Sequence, residues 1–75
     1  MRKYTIILEP DDYDGGYTVT VPALPGCITQ GETVSQCIER AQEAITGYIK
    51  SLELAGEPVP SETERPQAIT IDVAA

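Results

Sequence analysis

Four carboxylates crowd one short stretch of the chain: Glu9, Asp11, Asp12 and Asp14. Clustered carboxylates can hold Mg²⁺ or Ca²⁺. Asp12-Tyr13-Asp14-Gly15 also has the opening of a calcium loop. The bidentate Glu that such a loop needs at its far end is missing, because that position is Ala23. Asp and Gly are equally the residues that hairpin turns favour, and this is the preferred reading. No metal and no cofactor are therefore expected. Cys27 and Cys37 fit no metal-ligand spacing, and the chain has 0 His to complete a set. They read as two small buried apolar residues. There is also no nucleophile elbow and no Gly-rich phosphate loop. The expectation is a binding protein, not an enzyme.

Two further residues qualify as candidates for contact with a partner. Tyr13 lies in the acidic run, and an exposed loop aromatic can anchor an interface. Gly47 falls within an amphipathic stretch, on the face opposite its apolar stripe, near Ala44, Ser51, Leu54 and Ala55. A helical Gly costs ~1 kcal/mol relative to Ala, and such a strip of small residues would let another surface approach closely. The candidate partner-binding set is thus Glu9, Asp11, Asp12, Tyr13, Asp14 and Gly47.

These residues need elements to position them. Residues Lys3 to Glu9 alternate, with Tyr4, Ile6 and Leu8 on one side, which predicts a strand. Tyr17, Val19 and Val21 alternate with Thr18 and Thr20 and predict a second. The turn formers from Pro10 to Gly16 join the two as a β-hairpin. Pro22 ends the second strand, since it has no N–H to donate. Pro25-Gly26 fits the central positions of a type II turn, and Cys27 to Gln30 follows as a short edge strand. Thr33-Val34-Ser35-Gln36 matches a capping box. Val34, Ile38, Ala41, Ile45, Tyr48 and Leu52 recur at helical spacing, widened by Cys37, Ala44 and Ile49. Gly56 suits a C-terminal cap, so the helix is predicted from Val34 to about Ala55. A proline-punctuated connector follows over residues 57–66. Ile69, Ile71 and Val73 then alternate with Thr70 and Asp72, which predicts a fourth strand over residues 67–73. That strand would lie parallel beside the first, or serve as an arm pairing with a second chain. The fold class is α+β in the order β-β-β-α-β: a three-stranded antiparallel meander covered by one helix, with a strand after it. One domain is expected over residues 1–75.

Charge narrows the class of partner. Twelve acids against five bases give a net charge of −7, and the bases Arg2, Lys3, Arg40, Lys50 and Arg65 are scattered. Nucleic-acid binding needs clustered Lys and Arg, so direct contact with DNA or RNA is not expected. An acidic surface suits a basic protein, through faster encounter and specificity. No apolar run is long enough to span a membrane. Glu9, Asp11 and Asp12 interrupt what begins like a signal start, so a cytoplasmic protein is expected. A small core and a short edge strand favour a homo-oligomer, a dimer or tetramer.

Asp14-Gly15-Gly16-Tyr17, Val21-Pro22-Ala23-Leu24-Pro25-Gly26-Cys27, Gln30-Gly31-Glu32-Thr33, the helix with Ala41 and Glu43-Ala44, and Gly56-Glu57-Pro58-Val59-Pro60 together resemble the HicB-like antitoxin family. The resemblance covers Lys3 to Pro60. It implies a truncated RNase H-like fold. It also implies an antitoxin that neutralises a HicA-like toxin, a small basic ribonuclease, by masking its active site. Longer family members add a DNA-binding module, for which this sequence is expected to have no room. Two other functions remain open: a solitary self-assembling scaffold domain without a toxin, and, more remotely, a divergent metal-dependent nuclease. The acids lie mainly in the first hairpin and on the helix surface, whereas such a nuclease gathers them around metal ions from several elements.

Overall fold

A computed structural model describes residues 2–74 of the chain. Three strands, β1 (Ile7–Pro10), β2 (Tyr17–Thr20) and β3 (Ile28–Gly31), form an antiparallel sheet in the order β1-β2-β3. One long helix, α1 (Val34–Leu54), packs on one face. The first strand is shorter than its alternation predicts. Ile7 pairs with Thr20 at the end of the ladder, and the next residue, Val21, donates its N–H to the Cys27 carbonyl instead (3.2 Å). The chain therefore leaves the sheet for the Pro22–Gly26 loop, and residues 2–6 find no partner on β2. Leu24 accepts the Cys27 N–H (3.0 Å) and Gly26 has φ +81°, the type II turn predicted from Pro25-Gly26.

Two linked clusters make the core. Val19, Cys37 and Ala41 join β2 to the helix, with Ile6, Leu8 and Tyr17 packed around them. Val21, Leu24 and Cys27 form the second, against Tyr4, Ile6, Ala44, Ile45 and Tyr48. The Tyr48 hydroxyl donates to the Pro25 carbonyl (2.7 Å) and latches the loop to the helix.

The helix sits rotated from the predicted stripe. Cys37 and Ala41 are buried, whereas Val34 and Ile38 are about half exposed. The cause lies on β3. A β-carbon on Gly31 would stand 2.8 Å from Cys37 Sγ and 2.9 Å from its backbone nitrogen, so the bare backbone of Gly31 draws the helix in at Cys37. Gly31 is crowded from the other side as well: a β-carbon on Gly16 would meet its carbonyl oxygen at 2.5 Å.

The helix ends follow the sequence with one shift. Thr33 Oγ1 accepts the Gln36 N–H (3.1 Å), but Gln36 Oε1 accepts from Glu32 N (2.7 Å), one residue before the N-cap. Gly56 donates to the Glu53 carbonyl and Glu57 to the Leu52 carbonyl, the paired bonds of a Schellman motif.

The fourth strand expected over residues 67–73 is not in the sheet of the described chain. Its connector is pinned early. The Tyr4 hydroxyl donates to the Pro60 carbonyl (2.6 Å), and the Glu62 carboxylate accepts from Thr5 N (2.6 Å) and Thr5 Oγ1 (2.8 Å). A side chain thus takes the edge donor that a parallel strand would have used. Beyond it the chain bends at Thr63-Glu64 and leaves through Pro66. The radius of gyration is 14.3 Å, against about 11 Å for a packed chain of this length.

Candidate functional site

The acidic run becomes the tip of the β1–β2 hairpin. Pro10 pairs with Tyr17 at its mouth, and Asp11 N donates to the Gly16 carbonyl (2.9 Å). Asp11 does not present its carboxylate freely. One of its oxygens, Oδ1, accepts the N–H groups of Tyr13 (2.9 Å) and Asp14 (3.2 Å), an Asx-type turn that fixes the loop. Asp12, Tyr13 and Asp14 are left exposed on a braced backbone, with Tyr13 98% exposed.

The loop forms one wall of a polar cleft of about 410 Å³. Asp11 and Asp14 face Gln30 and Glu32 at the end of β3, and Gln36 and Arg40 on the helix. Sequence reasoning missed these four facing residues, because they come to the hairpin through the β2–β3 register, which pairs Tyr17 with Gly31 and Thr18 with Gln30, and not through their place in the chain. The Gly-x-Thr stretch just before the helix was the available signal. Glu9 is exposed on β1, opposite Thr18, and does not line the cleft.

Gly47 lies elsewhere. It lines a separate groove of about 390 Å³ with Ala44, Ser51 and Tyr48 from the helix and Gly26, Cys27 and Ile28 from the loop and β3. It is therefore on the flank of the helix toward β3, not on the face opposite the core. Eleven residues separate Gly47 from Gln36, about 16 Å along the helix. The structure does not bring Gly47 together with the hairpin.

Among the described residues, no group of three or more His, Cys, Asp or Glu side chains is placed to hold a metal ion. Burial pushes the Cys27 thiol up from its ordinary value, which disfavours the reactive thiolate. Both cysteines are buried and unpaired by disulfide. No helix of the described residues is long and apolar enough to cross a membrane. The acidic tip and cleft can offer carboxylates and one aromatic ring to a basic, hydrogen-bonding surface.

A family model described as the HicB_like antitoxin of bacterial toxin-antitoxin system matches residues 4–71. A UPF0150 protein of Thermoplasma acidophilum is 48% identical over 60 residues, covering 80% of this chain and 86% of the relative. A UPF0150 protein of Synechocystis is 46% identical over 60 residues, with 80% and 75% covered. The antitoxin HicB of Escherichia coli K12 is 36% identical over 62 residues, which cover 77% of this chain but only 44% of that longer protein. The match runs through the hairpin, the Pro-Gly loop, the capped helix and the connector, and on this ground the chain belongs to the HicB-like antitoxin family of bacterial toxin-antitoxin systems.

Proposed function

We propose that this chain is an antitoxin that binds a small basic HicA-like ribonuclease and masks its active site. The observation carrying this reading is the braced acidic tip. The backbone of Tyr13 and Asp14 is held in place by Asp11 before any partner arrives, with Asp12 in the same turn. A preordered loop loses little conformational freedom on docking. Its carboxylates steer a basic partner, and Tyr13, exposed in the free chain, is the anchor that docking buries. The order β-β-β-α fits a truncated RNase H-like domain that serves as a docking body in the cytoplasm.

The test is binding of a HicA-like toxin by surface plasmon resonance, which reads association rate and affinity together. Asp12→Asn with Asp14→Asn should slow association and flatten its salt dependence. Tyr13→Ala should weaken affinity by about 30-fold, the mark of an anchor worth ~2 kcal/mol. Asp11 is left intact because its replacement would collapse the loop. Unchanged affinity and association rate in both variants would remove the hairpin from the interface.

A second reading is self-assembly, as a domain acting without a toxin. It is favoured by one observation: Ile69, Ile71 and Val73 are 73–74% exposed on a projecting arm.

A further inference from the structure

Among the described residues, the apolar alternation of the C-terminal arm has no covering surface. Ile69, Ile71 and Val73 share one side of an extended segment. The segment from Ala68 to Val73 spans ~20 Å. Sequences that expose three aliphatic side chains in a row normally cover them.

A matching surface lies beside the Glu62 staple. A groove of about 740 Å³ runs between residues Arg2–Thr5 and the helix, floored by Ile45 and Ile49, with Thr46 between them. That volume is within the ~300–1,000 Å³ of sites that bury most of a ligand of several side chains. Its rim carries Arg2, Lys3 and Arg65, three of the five bases in the chain. With Glu62 as its one acid, it is a basic feature on a molecule with net charge −7, and the arm that would fill it carries Asp72 and no base.

We infer that the arm of one copy lies in the groove between Arg2–Thr5 and the helix of a second copy, and that the exchange is reciprocal. Ile69, Ile71 and Val73 cover Ile45 and Ile49, and Asp72 meets the Arg2, Lys3 and Arg65 rim. Glu62 and Arg65 of the chain's own connector border the groove, the chain bends at Thr63-Glu64, and the arm beyond stays exposed in its own chain, so the second copy is the occupant. Reciprocal exchange closes at two chains, because each copy's one arm and one groove are both used. The apolar contact supplies the attraction, and the charge pairing sets the register. This deepens the self-assembly reading and stands apart from toxin binding, which uses the hairpin.

The test is mass by light scattering coupled to size exclusion, over a range of protein concentrations. The full chain should give twice its 8.1 kDa mass. The variant carrying Ile69→Ser, Ile71→Ser and Val73→Ser should fall to a single-chain mass with unchanged helical circular dichroism, since the arm contributes nothing to the helix or core. Thr46→Glu, at an exposed position in the groove, should do the same by a different route. A full chain that stays at single-chain mass at every concentration would overturn self-assembly altogether. A full chain that assembles, with both variants assembling equally well, would overturn the arm-in-groove contact and leave self-assembly standing.

Discussion

A β-carbon on Gly31 would stand 2.8 Å from Cys37 Sγ and 2.9 Å from Cys37 N, whereas one on Gly47 would meet nothing within 4 Å. The same substitution therefore has opposite signs at the two positions. Gly31→Ala should destabilise by about 1–3 kcal/mol, since the backbone at Cys37 cannot give way cheaply. Gly47→Ala should stabilise by ~0.5–1 kcal/mol, by removing the entropy cost of a helical glycine. Urea denaturation of both variants checks the pair. Cys27 gives a third residue-level expectation. Burial raises its thiol pKa, so the folded chain holds that proton more tightly than the unfolded chain does. The resulting stability is fully present below the unfolded thiol value of about 8.5. It is lost as pH rises through the folded value. The difference in urea midpoint between the native chain and Cys27→Ala should accordingly shrink between neutral pH and pH ~10. Residue types alone disclosed the two cysteines as buried. They could not distinguish Gly31 from Gly47, because that distinction rests on which backbone approaches which.

At the scale of elements, the helix boundaries and the turns were legible because each is written in local chemistry. Thr33 caps through its own side chain, and Gly26 takes the positive φ that its turn demands. Thr33→Ala should cost ~1 kcal/mol, read from the thermal midpoint. The rotation of the helix was not legible. The spacing of Val34, Ile38 and Leu52 marks an apolar stripe, but its seating is decided by Gly31 on β3, which is remote from the helix's own pattern. The connector was legible as extended and proline-broken, yet its anchor was not. Glu62 reads as one more acid in an acidic chain, and only the fold brings it to the Thr5 N–H. Glu62→Ala should leave that amide without its partner, so hydrogen exchange at Thr5 should accelerate while the amides of β2 keep their protection.

For the whole molecule, twelve acids surround a core of two small clusters, with no buried charged or polar residue among those described. Self-repulsion at net charge −7 opposes folding, and salt screens it. Raising NaCl from about 10 mM to about 150 mM shortens the Debye length from roughly 30 Å to roughly 8 Å. The thermal midpoint should therefore rise with that addition, and a scan at each salt concentration checks it. The order of three strands and a helix followed from the sequence because each element carries its own period. The arrangement of surfaces did not. The hairpin tip gathers Gln30, Glu32, Gln36 and Arg40 across the sheet, while the predicted fourth strand stands off as an arm. Both depend on pairings between distant residues, which a periodic pattern does not encode.

The hairpin tip also gives this protein a built-in optical reporter. The chain has no Trp and no Phe, so its near-ultraviolet absorption and emission come from its four tyrosines. The hydroxyls of Tyr4 and Tyr48 are tied to backbone carbonyls, and Tyr17 is half-buried beside the core. Tyr13 alone stands almost wholly in water. Its emission is thus the part of the spectrum that a partner docking at the hairpin tip would alter, and a partner free of Trp and Tyr could be followed by titration without any attached dye.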